Sequence, residues 1–157
     1  MKNIIIYWLP PLVWMGFLFP TNGALTHEST SSFLLPFLTW LLPFADRTVI
    51  EMVHIAIRKS VHFFEYGFLA FLLFRAFRGG SRGWKLEWML YAGSSSLAYA
   101  ALDELLQAFL PLRTGQFADW LINAAGVMCT LGLISLKFRI SQGFREKTGS
   151  LVNGQEK

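Results

Sequence analysis

From Ser60 to Phe74 the chain is apolar apart from His62 and Glu65, and Arg75 and Arg78 close the run one helical turn apart. No other feature limits the fold so strongly. A segment of this length and polarity suits a helix in hydrocarbon, with the two arginines snorkelling to headgroups. Composition agrees: 15% of the 157 residues are charged, against about 25% in soluble domains, and 54% are hydrophobic, with mean hydropathy +0.42. The length is enough for one domain. The formal charge of +4 does not indicate nucleic acid, because the basic residues sit at the ends of apolar runs rather than along one face.

In chain order, Ile4 to Phe19 is the first apolar run, with Pro10 and Pro11 inside it and no A-x-A cleavage site after it. It reads as an uncleaved transmembrane helix kinked at the prolines, with a signal peptide as the alternative. Residues 20–32 form a polar loop. Residues 32–44, SFLLPFLTWLLPF, are apolar but too short to span and are broken by Pro36 and Pro43, so an interfacial or re-entrant segment is expected. Asp46 is placed to cap a helix starting at Arg47 or Thr48 and closing at Arg78. A third span reaches to about Leu110 and carries Gly93-Ser94-Ser95-Ser96, small residues that allow close approach and whose hydroxyls can bond back to the helix. A fourth begins at Asp119, with Ala124, Ala125, Gly126 and Gly132 as small packing positions. Cys129, the single cysteine, reads as a packing residue. His27 and His54 read as solvated loop residues.

The expected architecture is an all-α integral membrane protein: a four-helix transmembrane bundle with an extracytoplasmic interfacial or re-entrant segment between helices 1 and 2. The domain covers 1–138, with spans at about 4–20, 60–78, 88–110 and 119–138, followed by a partly disordered tail, 139–157. With these crossings, ten of the Lys and Arg residues fall on one side and four on the other. The positive side marks the cytoplasm. Both termini are then cytoplasmic, and segments 20–59 and 111–118 are outside.

This topology draws polar residues from three helices to one level. His62 and Glu65 are i,i+3 near the outer end of the second span, with Tyr66 at i+4 from His62. Asp103 lies eight residues before Pro111, about 12 Å along a helix, and shares a stripe with Glu104 and Gln107. Asp119 and Asn123 are i,i+4 at the outer end of the fourth span. Arg58, Lys59 and Arg113 ring the same level. A carboxyl at mid-membrane costs about 2.5–3.5 kcal/mol on insertion scales, so these groups must face one another, the cations or water. One reading is a cluster that fixes helix packing; the other is a functional site.

Two motifs in this cluster, Arg58-Lys59-x2-His62-Phe63-x-Glu65-Tyr66 and Asp103-Glu104-x2-Gln107-x-Phe109-x-Pro111-x-Arg113-x5-Asp119-x3-Asn123-x2-Gly126, resemble the signature of the VanZ-like membrane proteins. The resemblance covers about Phe17 to Phe138. It implies a four-helix protein of the bacterial cell membrane, in a family whose founding member is associated with resistance to teicoplanin, a lipid-tailed glycopeptide.

Three chemistries suit the residues. A binding protein would use Arg58, Lys59 and Arg113, with Tyr66, to hold an anionic headgroup, a polyprenyl-linked cell-wall precursor or a lipoglycopeptide. A membrane hydrolase or transferase would use His62 as base or nucleophile, oriented by Glu65 or Asp119, with the cations on a developing oxyanion. No cofactor is required, though the carboxylates could hold Mg²⁺ or another hard divalent cation; zinc is disfavoured by the lone clustered His and the lack of Cys. A lipid transporter would relay protons through Asp103 and Glu104, and with so few spans it would call for an oligomer.

Overall fold

A computed structural model describes residues 2–21, 27–81, 83–108 and 117–154, with side chains for 4–19, 32–81, 83–106 and 117–143. All regular structure among them is helical: α1 (Lys2–Thr21), α2 (His27–Leu41), α3 (Arg47–Arg78), α4 (Leu86–Ala108) and α5 (Phe117–Gly154). α3 and α5 are long and apolar enough to cross a membrane. At 32 residues, α3 is about 48 Å long, more than the roughly 30 Å of a bilayer's hydrocarbon. α2 has 15 residues, about 22 Å, and falls short of that thickness.

α3 is the hub and packs against each of the other four helices. Its start follows the sequence closely. Asp46 occupies the N-cap position with extended backbone, but its side chain makes no capping bond; its carbonyl accepts from the Ile50 N–H at 3.1 Å. Its end is built by Gly79, whose φ of 58° lets its N–H reach the carbonyls of Arg75 and Ala76, a left-handed cap that only glycine adopts without cost.

Contacts set the helix directions. Trp14 meets Phe68 while Trp8 meets Phe77, so α1 runs antiparallel to α3. Tyr66 meets Tyr99 while Phe77 meets Tyr91, so α4 is antiparallel to α3 as well. Phe63 meets Gly126, Gly67 meets Thr130 and Phe74 meets Phe138, so α5 runs parallel to α3. α1, α3, α4 and α5 therefore alternate in direction along the chain.

The core is apolar, and so is much of the exterior. Val61, Phe64, Phe68 and Phe71, spaced three, four and three apart, form an exposed stripe on α3, and large apolar side chains are exposed on every helix. Among the described residues the buried polar side chains are His54, Ser96, Asp103 and Asn123. An exterior of this kind suits hydrocarbon. The small-residue segment of α4 behaves as its composition predicts: the Ser96 hydroxyl is fully buried and donates to the Ala92 carbonyl at 2.8 Å.

Several expectations need correcting. His54 is no loop residue: it sits within α3 and is 7% exposed. α2, joined to α3 by residues 42–46, packs against α3. His27 opens α2. The 32–44 segment is helical through Pro36 and stops at Leu41, two residues before Pro43. Cys129 is exposed and takes no part in the core. Nothing lies within 4 Å of the Cβ position of Gly132, so it is not a packing contact. α5 continues past Phe138 to Gly154.

Candidate functional site

The clustered residues stand on three helices. α3 carries Arg58, Lys59, His62, Glu65 and Tyr66; α4 carries Asp103, Glu104 and Gln107; α5 carries Asp119 and Asn123. The side chain of Gln107 and the whole of Arg113 lie outside the described residues.

One bond ties α3 to α4. The Tyr66 hydroxyl, fully buried, donates to Asp103 Oδ2 at 2.8 Å, and Asp103 is itself only 6% exposed. Tyr66 thus faces the inside of the bundle rather than a headgroup. His62 Nδ1 and Glu65 Oε2 approach to 3.6 Å on consecutive turns of α3. Both are partly buried, as are Arg58, Glu104 and Asp119, whereas Lys59 is exposed.

The third element of the site is Asn123. It is 0% exposed, and neither its Nδ2 nor its Oδ1 has a hydrogen-bond partner among the described residues. It lies three residues before Gly126, the point where α5 touches the Phe63 carbonyl of α3. That is about 4.5 Å along the axis, which brings Asn123 level with the turn holding His62. The close approach depends on glycine. A Cβ on Gly126 would collide with the Phe63 carbonyl oxygen, and one on Gly67 would lie 2.7 Å from Thr130 Oγ1.

Two further residues belong to this level and were not singled out in the sequence. Tyr99, one turn before Asp103, has its ring centroid 6.5 Å from that of Tyr66 and donates its hydroxyl to the Met15 carbonyl at 2.6 Å. Its i−4 spacing from Asp103 was the available signal. Trp14 donates Nε1–H to the Glu65 carbonyl at 3.1 Å; that contact joins α1 to the site, and nothing in the local sequence marks it. Among the described residues, no three His, Cys, Asp or Glu side chains form a group able to hold a metal ion.

The Tyr66–Asp103 bond makes a measurable prediction. Interhelical hydrogen bonds in membrane proteins average about 0.6 and reach about 1.7 kcal/mol, and a carboxyl acceptor in a buried site belongs at the upper end. Tyr66→Phe is expected to destabilise the purified protein by about 1–2 kcal/mol, seen as a lower thermal midpoint in detergent. In an Asp103→Asn background the same change should cost clearly less. Equal losses in both backgrounds would mean the two groups are not coupled.

The VanZ/LLP1 family model matches residues 5–138, a stretch that includes every candidate residue on α3, α4 and α5. No match was found among curated proteins or among solved structures. The matched stretch is most of the chain, and the chain belongs to the VanZ/LLP1 family.

Proposed function

We propose that this is a multi-pass protein of the bacterial cell membrane in which α1, α3, α4 and α5 span, α2 lies against the outer face, and both termini are cytoplasmic. Its outer-leaflet polar cluster engages a lipid of the cell envelope, such as a polyprenyl-linked cell-wall precursor, or a teicoplanin-type lipoglycopeptide, and so lowers susceptibility to the antibiotic. The unequal distribution of Lys and Arg and the alternating helix directions support the topology. One observation carries the functional reading: the Asn123 amide is wholly buried without a hydrogen-bond partner among the described residues. Such a group costs about 1–3 kcal/mol unless something bonds it. A hydroxyl, amide or phosphate oxygen of a ligand can supply that bond, and the exposed Lys59, three residues before His62, can attract an anionic group.

A second reading follows from the approach of His62 to Glu65. A carboxylate beside an imidazole can orient it as a general base or nucleophile, giving a hydrolase or transferase acting on a lipid phosphate or ester. The purified protein is to be incubated with labelled polyprenyl phosphates, phospholipids and teicoplanin, beside a His62→Ala variant. Saturable binding without product, retained in part by His62→Ala, is the expected result for a binding site. Product formation lost in His62→Ala would replace that reading with the enzymatic one. Failure to bind or convert any of the three, with unchanged teicoplanin susceptibility in cells expressing the wild-type chain, would sink both.

A further inference from the structure

Toward the opposite end of the bundle from the polar cluster is a cavity of about 380 Å³, where α1, α3 and α5 meet. Tyr7, Phe71, Phe74, Arg75, Arg78 and Lys137 line it, and no carboxylate is among its lining residues within the described part of the chain. Its α3 lining starts at Phe71, and its two arginines stand nine and twelve residues after Tyr66, so roughly 14–18 Å along the axis separates these cations from the Tyr66 level. None of its residues takes part in the cluster described above.

We propose that this cavity binds the phosphate of an anionic phospholipid. Two arginines and a lysine from two helices converge on it, and both guanidinium groups are held in place by aromatic rings. Arg75 lies over the Tyr7 ring at 5.4 Å, and Arg78 over the Phe138 ring at 5.4 Å, with Arg78 Nε also donating to the Ser81 carbonyl at 2.6 Å. A cation–π contact engages the face of the guanidinium and leaves its N–H edge for an anion. The walls account for the rest of the ligand. Phe74 is buried, whereas Phe71 also belongs to the exposed apolar stripe of α3, so the cavity is continuous with the surface that faces hydrocarbon. A soluble anion would use only the cations; a phospholipid uses the cations for its phosphate and the phenylalanine wall for its chains.

Gly80 completes the site. Its φ is +80°, and a Cβ there would collide with the Tyr7 hydroxyl, so glycine is what allows Tyr7 to close one side under Arg75. Placement of this cavity in the cytoplasmic leaflet rests on the topology proposed above; its chemistry does not.

The test is native mass spectrometry of the full chain in detergent, titrated separately with phosphatidylglycerol, phosphatidylcholine, inorganic phosphate and glycerol phosphate. Phosphatidylglycerol is expected to bind about tenfold more tightly than phosphatidylcholine, and Arg75→Gln or Arg78→Gln to weaken it about fivefold each. Lys137→Gln should act in the same direction, and because Lys137 is exposed it serves if the arginine variants fail to accumulate. Equal affinity for the two lipids, or an undiminished preference in Lys137→Gln, overturns the proposal. Inorganic phosphate or glycerol phosphate binding as tightly as phosphatidylglycerol also overturns it, leaving a site for a free anion. Failure here leaves the polar cluster untouched, since no variant in this set alters it.

Discussion

Gly126→Ala is expected to abolish accumulation of the folded protein. The added Cβ meets the carbonyl oxygen and Cα of Phe63, which are backbone atoms of the central helix and cannot rotate away. Overpacking a core with one methyl costs about 1–3 kcal/mol when side chains can adjust; here α3 and α5 must separate, so the loss should reach or exceed the top of that range. Gly67→Ala offers a graded comparison. Its nearest obstacle is Thr130 Oγ1 at 2.7 Å, a side-chain atom, with the Gly126 carbonyl oxygen at 3.2 Å behind it. Gly67→Ala should therefore cost less than Gly126→Ala, and Thr130→Ala should restore part of the loss. Membrane protein level and thermal midpoint in detergent measure all three. Gly126→Ala with wild-type level and midpoint would show that the α3–α5 crossing has room the structure does not give it.

This crossing bears on function because it sets the depth of Asn123 and the spacing between α5 and the His62 turn. The site is thus assembled by two kinds of contact: glycine-mediated proximity between α3 and α5, and the Tyr66–Asp103 hydrogen bond between α3 and α4. The Arg47–Glu51 pair at the N-terminal end of α3 spans 3.2 Å but is exposed, and a surface pair of that sort contributes about 1 kcal/mol or less.

Much of this was legible in the residues. The limits of α3 matched Asp46 before Arg47 and Arg78 before Gly79-Gly80; the glycine acts as a local signal, whereas Asp46 holds the N-cap position without a side-chain cap. The shared stripes of His62 with Tyr66, and of Asp119 with Asn123, followed from helical periodicity alone. What escaped was tertiary. His54 is buried within α3, and no local pattern states that. Pro36 suggested a broken segment, yet α2 runs through it, because the remaining backbone bonds of a helix survive the loss of one donor. Trp14 entered the site through a backbone carbonyl of Glu65, a partner without sequence identity. The pairing of Tyr66 with Asp103 was anticipated only as a common depth, since spacing along each helix does not say which face turns inward.

The central claim is that the polar cluster, beyond the packing bond between Tyr66 and Asp103, serves a ligand through Asn123, and Asn123→Leu tests it most directly. Leucine keeps the branching at Cγ while removing an amide that is fully buried and unbonded among the described residues. Removing such a group relieves a desolvation cost of about 1–3 kcal/mol. Protein level and thermal midpoint should therefore be equal to or above wild type, while the reduction in teicoplanin susceptibility conferred on a sensitive host should be lost. A stable Asn123→Leu protein that protects the host as well as wild type does would contradict the claim. So would a variant with a lowered midpoint and level, because the amide would then be a packing residue after all.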